Sequence, residues 1–392
     1  MKSIKDFNDL DKKTILLRLD LNVPLDNGKI LDATRINKII PTLDFLIKKN
    51  VKIIILSHVG RPKGKIVNEL SLEPICKNLI NKTNINIKLI TKNIKKMDSK
   101  NLFDDSEYRI IMFENLRFYI EEEEDNDEFA KHLASFADIY VNDAFSCSHR
   151  KHASVHKITN FIPSYSGLQL DSEINALKKI TSEIERPITC IIGGSKISTK
   201  IKIIKNLIKK FDNIIIVGGM ANNIFKYKGF EIGKSIIENN CNEIVDEIFT
   251  LSEKENCQII YPEDVAIGNS FSDSKKIKQL DNVSENDIIL DIGPKTIKKI
   301  IKIIQESKTV LWNGPAGYFE NINFATGSQE IAKQIAEDSK NGKLFSVVGG
   351  GDTISVINKI KMFNNYNFVS TAGGAFLEYL EGKDLPGIKA LN

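Results

Sequence analysis

Short runs of β-branched residues recur along the whole chain, and amphipathic stretches of helical period separate them. The runs fall at 14–20, 52–56, 108–113, 139–142, 188–192, 213–217, 258–261, 287–290, 309–312, 344–348 and 367–370. Between them lie stretches such as 199–210 and 295–305, apolar on one helical face. Runs such as Ile53-Ile54-Ile55-Leu56 are apolar at every position, as a strand covered on both faces must be. The alternation predicts α/β architecture, with parallel sheets and helices on both faces. Eleven strands overfill one ordinary open sheet. Two doubly wound, Rossmann-like domains are therefore expected. The length of 392 residues agrees, at roughly 150 per domain. The turn formers Pro163, Ser164, Ser166 and Gly167 mark the break, and a helical pattern over 170–184 leads onward.

Composition removes several function classes. Apolar residues at 42% and charged residues at 27% exclude a disordered, collagen-like or disulfide-scaffold chain. No apolar run reaches the roughly 18 residues that a membrane span needs. The start, Met1-Lys2-Ser3-Ile4-Lys5-Asp6, is polar and lacks a signal core, so a cytoplasmic protein is expected. A net charge of +4 is no nucleic-acid footprint. The five cysteines show no CxxC spacing, which fits reduced thiols and signals no zinc. His149, His152 and His156 have no convergent carboxylates or thiolates beyond Cys147, so they are not read as a metal site. The acidic run 121–124 with Asp125 reads as a solvated helix start.

Lysine dominates the basic residues, and the seven arginines all lie at or before position 186. A planar fork that grips phosphate or carboxylate cannot be replaced by lysine, so the arginine positions carry information. Ligands in open α/β sheets bind beyond the carboxyl ends of the strands. The first strand exits into Asp20-Leu21-Asn22, and Arg35 opens the helix that follows. The second exits into Ser57-His58-Val59-Gly60-Arg61-Pro62, the third into Glu114-Asn115-Leu116-Arg117, and the fourth into Asp143-Ala144-Phe145 with His149-Arg150. Arg35, Arg61, Arg117 and Arg150 are expected to converge, with Asp20 and Asn22 as acceptors. The implied ligand is small, polyanionic and hydroxylated.

The second half offers glycine instead. Gly193-Gly194-Ser195-Lys196 is expected to open a helix carrying Lys196 and Lys200 one turn apart, with an anion between them. Gly349, Gly350, Gly351, Asp352 and Thr353 precede a helical pattern over 354–360, where glycine lets a phosphate approach the free amides. Asp352 would repel that phosphate unless Mg²⁺ joins them. Gly218-Gly219 and Trp312-Asn313-Gly314-Pro315 could form a flat slot for a nucleobase. The P-loop motif is absent, because 229–235 is one residue short, and the dinucleotide GxGxxG is absent too.

These segments together resemble phosphoglycerate kinases. The resemblance rests on 18–24, 57–62, 114–118, 193–200, 311–320 and 349–353, and spans about 14–391. It implies a triose-binding domain over 1–165, a nucleotide-binding domain over 166–375, and a segment 376–392 that returns to the first. It implies that Asp20, Asn22, Arg35, His58, Arg61, Arg117 and Arg150 hold 3-phosphoglycerate or 1,3-bisphosphoglycerate. Lys200, Asn313, Glu320, Gly349, Gly350, Gly351, Asp352 and Thr353 would hold ATP or ADP, with Glu320 on the ribose and Asp352 on Mg²⁺. Arg35, Lys196 and Lys200 would be catalytic. A monomer that closes about a hinge in glycolysis is implied. The chain departs from the usual pattern at Ser146, Cys147 and Ser148, at Val217 and at Asn223.

A carboxylate and a phosphate oxygen exchange a phosphoryl group without a proton to remove, so no general base is expected. Two rivals remain open. An amino-acid acyl-phosphate kinase would need a carboxylate for an ammonium group, which four arginines suit poorly. A non-catalytic binding protein for anionic sugars would bind without turnover.

Overall fold

The computed structural model describes residues 1–99, 102–104, 107–272 and 274–392. Two compact units emerge: Met1–Ile174 with Asp384–Asn392, and Asn175–Lys383.

In the first unit the strands are β1 (Thr14–Leu19), β2 (Leu25–Asp26), β3 (Lys29–Ile30), β4 (Lys52–Leu56), β5 (Ile87–Ile90), β6 (Ile110–Phe113), β7 (Ile139–Asp143) and β8 (Ser164–Ser166). The main sheet is parallel throughout, in the order β5-β6-β4-β1-β7-β8. Strand order reverses next to β1, which puts the loops after β1, β4 and β7 at a topological switch point. The period of two divides the core. Ile15, Leu17, Ile53, Ile55 and Val141 face one apolar layer, while Leu16, Ile54, Phe113 and Tyr140 face the other. β2 and β3 form a separate short hairpin.

The second unit contains β9 (Ile188–Ile192), β10 (Asn213–Ile216), β11 (Gln258–Ile260), β12 (Asp264–Gly268), β13 (Lys276–Gln279), β14 (Ile288–Ile292), β15 (Thr309–Asn313), β16 (Phe345–Gly349) and β17 (Phe368–Ser370). Its parallel sheet runs β11-β10-β9-β15-β16-β17. β12, β13 and β14 form a separate antiparallel sheet, in the order β13-β12-β14.

All eleven runs read from the sequence contain a strand. The run 287–290 becomes β14 in the antiparallel sheet rather than a member of the parallel one. The smaller sheet was not anticipated, because β13 is polar and largely exposed and β12 begins at an aspartate.

The units divide at Ile174 and Lys383, whereas the sequence suggested breaks after 165 and 375. The helix Leu168–Thr181 straddles the first division. Its start is tied to the first unit, with the Leu170 amide donating to Asp143 Oδ1 at 2.9 Å and the Leu168 amide to Thr42 Oγ1 at 3.1 Å. The helix Gly374–Leu380 belongs to the second unit, where Asn206 Nδ2 donates to the carbonyl of Leu380 at 2.7 Å. The segment from Asp384 lies on the first unit, and its Gly387 amide donates to the Ser148 carbonyl at 2.8 Å.

The acidic run at 121–124 is not simply a solvated helix start. Glu122 is fully buried and accepts from Ser154 through both its hydroxyl and its amide. Among the described residues, no helix is long and apolar enough to cross a membrane.

Candidate active site

At the carboxyl ends of β1, β4 and β6, the first unit's loops are stitched together by polar side chains. Arg35 NH1 donates to Asp20 Oδ1 at 3.2 Å and to the Asn22 carbonyl at 3.0 Å. The Gly60 amide donates to Asn22 Oδ1 at 3.0 Å, and Arg117 NH1 donates to the Gly60 carbonyl at 2.7 Å. Asn115 Nδ2 holds the same loop through the Val59 and Leu70 carbonyls. Asp20, Asn22, Arg35 and Arg117 thus form one continuous chain across three loops. Arg61 and Arg150 stand exposed on the loops after β4 and β7.

Arg117 is buried, and its Nε has no hydrogen-bond partner. Glu123 Oε1 lies 3.6 Å from that Nε, so the cation is only loosely compensated. A buried guanidinium left in that state favours an incoming anion.

His58 lies in the same layer and is buried. Burial, reinforced by Arg18, Arg117, His152 and Arg35, holds its pKa well below the usual imidazole value, so it is neutral. His152 is pushed down to about 3 by burial and by the neighbouring Arg117, Arg18 and Arg150. In both, burial is the larger cause and the neighbouring guanidinium groups add to it.

In the second unit, the loops after β9, β15 and β16 meet backbone to backbone. The Gly193 amide donates to the Asn313 carbonyl at 2.9 Å. A Cβ on Gly193 would lie 2.1 Å from the Pro315 carbonyl oxygen, and one on Gly314 would lie 2.3 Å from that of Gly193. Asn313 is the keystone: its Nδ2 donates to the Gly349 carbonyl at 2.7 Å, and its Oδ1 accepts from Lys200 Nζ at 2.5 Å. The Gly314 amide donates to Thr353 Oγ1 at 2.8 Å. Gly350, at φ 102°, turns the chain from β16 into the helix Gly351–Lys359. Nothing lies within 4 Å of a Cβ built on Gly351, so open space faces the free amides of that helix start.

Lys196 and Lys200 do not share a helix. The helix begins only at Ile201, and 193–200 is an irregular turn. Ile197 is buried as an anchor, while the Ser198 amide and hydroxyl bond to Glu238 instead of entering a helix. Lys200 is partly buried, and that burial lowers its pKa, whereas Lys196 is exposed.

Beside the cradle is a cavity of about 290 Å³. Gly218, Gly219 and Pro315 line it, together with Glu320 and Asp352, whereas Trp312, Asn313 and Gly314 do not. Part of its wall comes from the antiparallel sheet and its loop, through Val265, Phe271 and Ile289. Phe271 packs edge-to-face on Tyr318, with ring centroids 5.2 Å apart. Val217 and Asn223 are not in that wall. Val217 is in the core, and Asn223 Oδ1 accepts from the Glu238 amide.

Asp352 is an exposed carboxylate in the first helical turn. Among the described residues, no group of three or more His, Cys, Asp or Glu side chains could hold a metal. A single carboxylate suits a cation that arrives on nucleotide phosphates, since Mg²⁺ keeps most of its other ligands as water and phosphate oxygen.

Sequence reading passed over Arg18 and Glu122 as components of the site. The signal was available for Arg18, a charge inside the apolar run of β1. None was available for Glu122, whose partner Ser154 is remote in sequence.

Guanidinium groups at one sheet's carboxyl end, and a lysine-capped glycine cradle at another's, define a doubly wound phosphotransferase of the kinase class. The family model described as phosphoglycerate kinase matches residues 4–383. The phosphoglycerate kinase of Wolbachia sp. subsp. Brugia malayi (strain TRS) is 45% identical over 385 residues, covering 98% of this chain and 96% of that protein. That of Orientia tsutsugamushi (strain Ikeda) is 44% identical over 382 residues, covering 97% and 94%. The structure of phosphoglycerate kinase from Coxiella burnetii superposes with a TM-score of 0.91 at 37% identity, covering 99% of this chain and 98% of that one. The chain belongs to the phosphoglycerate kinase family.

Proposed function

We propose that this chain catalyses reversible phosphoryl transfer between 1,3-bisphosphoglycerate and Mg-ADP, giving 3-phosphoglycerate and Mg-ATP. The observation that carries this reading is the chain of bonds from Arg35 through Asp20 and Asn22 to Gly60 and Arg117. It holds two guanidinium groups and two oxygen acceptors at one strand-end face, the complement of a phosphorylated hydroxy acid.

In this reading Asp20 and Asn22 orient the hydroxyl, and Arg35, Arg61, Arg117, Arg150 and His58 hold the phosphate and carboxyl ends. Lys200, Asn313 and the amides at Gly349, Gly350, Gly351, Asp352 and Thr353 hold the nucleotide phosphates, with Lys196 as a second cation. Glu320 takes the ribose, and Asp352 takes the Mg²⁺ that the nucleotide carries.

A β-phosphate oxygen of ADP attacks the acyl phosphorus. The bond from phosphorus to the carboxyl oxygen breaks, and the carboxylate leaves with its electron pair. No proton moves, so catalysis consists of positioning and charge neutralisation. Arg35, Lys200 and the helix-start amides supply the protein's share of that neutralisation. The two substrate sets belong to different units, so transfer requires domain closure, which also expels water. A monomeric cytoplasmic enzyme of glycolysis completes the reading.

The test is ATP-dependent turnover with 3-phosphoglycerate, alongside a panel of amino-acid and sugar-acid acceptors. Turnover confined to 3-phosphoglycerate is expected. Turnover with an amino acid in its place, or nucleotide binding without any transfer, would refute the reading.

A further inference from the structure

Arg18 is a fully buried cation in the middle of a parallel sheet, a costly place for a charge that does nothing. It sits on the same face of β1 as Leu16, and each side of its guanidinium is occupied. Nε donates to Ser154 Oγ at 3.0 Å, and NH1 donates to the Leu19 carbonyl at 2.6 Å. NH2 lies 3.0 Å from His58 Nδ1 and 3.9 Å from Cys147 Sγ.

The chemistry of these partners fixes the hydrogens. A guanidinium has no acceptor, so His58 Nδ1 must offer its lone pair and the proton must reside on Nε2. Ser154 accepts from Arg18, so its own hydrogen goes to Glu122 Oε1, 2.6 Å away. The Ser154 amide donates to the other Glu122 oxygen at 2.9 Å. Glu122 is the buried countercharge, reached through one hydroxyl. The charged and titratable groups acting on His58 are Arg18, Arg117, His152 and Arg35, with Cys147 Sγ 3.9 Å from its Nδ1.

We propose that Arg18 is a positioning residue: the Glu122–Ser154–Arg18 strut locks His58 as the Nε2–H tautomer, so that it serves as a fixed hydrogen-bond donor to the anionic substrate. The substrate half of this proposal rests on the triose-binding reading given above, whereas the tautomer half does not.

The experiment uses the full chain with ¹⁵N-labelled histidine and long-range ¹H–¹⁵N correlation, His58 being assigned from its loss in His58→Gln. In the parent, His58 should show the neutral Nε2–H pattern throughout pH 6–8. An Nδ1–H pattern or an imidazolium overturns the proposal without any variant. In Arg18→Met, the His58 signals should average between tautomers, and KM for 3-phosphoglycerate should rise about tenfold with kcat nearly unchanged. Arg18→Lys keeps a donor and should restore the Nε2–H pattern, a rescue that a merely space-filling role would not give. Ser154→Ala, which cuts the strut with little loss of volume, should loosen the same tautomer if Arg18→Met fails to fold. An unchanged tautomer in Ser154→Ala and Arg18→Met would overturn the strut. If saturating 3-phosphoglycerate leaves the His58 signals unmoved, the substrate half fails while the tautomer assignment stands.

Discussion

Each of the two units has its own six-stranded parallel sheet with polar groups gathered at the strands' carboxyl ends, yet the two gather them by opposite means. The first unit imports cations. Arg18, Arg35 and Arg117 are held by side chains and carbonyls from several loops, and Glu122 is buried to balance them. The second unit exposes backbone. Its glycines bring the loops after β9 and β15 into van der Waals contact and leave helix-start amides open, with Lys200 as a single cation tied to Asn313. A site built from side chains depends on hydrogen-bond geometry, and one built from backbone depends on the absence of a Cβ. The two should therefore fail under different substitutions.

The largest effects should come from the cations. Arg35→Lys keeps the charge but loses the planar guanidinium, whose NH1 holds both Asp20 and the Asn22 carbonyl and whose other nitrogens would grip an anion, and kcat should fall at least about a hundredfold. Lys200→Ala should do the same from the other unit. Steady-state turnover within threefold of the parent for both would break the assignment of the transferring charge to these residues.

Glycine substitutions should next separate stability from function within the second unit. Gly314→Ala places a methyl 2.3 Å from the Gly193 carbonyl oxygen at φ 104°, and should cost about 2–3 kcal/mol in denaturant unfolding. Gly351→Ala meets open space and should unfold like the parent. It should nevertheless raise the KM for nucleotide, because its methyl would occupy the cradle.

Acid and base should act with opposite sign on two buried groups, His152 in the first unit and Asp291 in the second. His152 is a base held at about 3 in the folded chain against 6.5 ordinarily. The unfolded chain therefore takes up a proton that the folded one refuses. The stability linked to His152 is complete above about pH 6.5 and is lost as pH falls below it. Asp291, walled into the second unit by the Gly327 and Ile292 amides, is an acid pushed up to about 7 by burial. Its contribution is complete below about pH 3.8 and is lost as pH rises toward 7. Asp143 in the first unit follows the sign of Asp291, so variants rather than bare pH curves isolate the two effects. Relative to the parent, His152→Gln should gain about 2 kcal/mol as pH falls from about 6.5 to 5, and Asp291→Asn should gain a similar amount as pH climbs from about 5 to 7. Parallel unfolding curves for either variant and the parent would remove that residue from the balance.

The smallest change should be the most selective. Asp352→Ala should weaken Mg-ADP binding about tenfold and leave 3-phosphoglycerate binding unaltered by calorimetry. Equal nucleotide titrations would deny Asp352 its cation.

Apolar pattern alone revealed the strands of both parallel sheets that are buried on both faces, because such strands must be apolar at every position. It missed β5, where Lys88 interrupts a short run, the hairpin β2 and β3, and β8, whose two serines beside Pro163 and Gly167 read as a turn, and it missed β12 and β13. β13 is a polar and mostly exposed edge strand, which looks like loop, and β12 is buried throughout but offers only Val265, Ala266 and Ile267 as an apolar run. The same limit hid Phe271 from the wall of the cavity beside the glycine cradle. The expected helix under Lys196 failed for a related reason: Ser198 spends its amide and hydroxyl on Glu238, a partner that no local pattern announces.

By itself, then, the chain's order of residues determined where strands end and which chemistry stands at each end, since periodicity and strand exits are local properties. Only the folded structure decided which of those groups touch. The pairing of Arg18 with Ser154 spans 136 positions, and that of Lys200 with Asn313 spans 113. A bond across such a distance is set by sheet order and packing, and these are properties of the whole unit rather than of any segment within it.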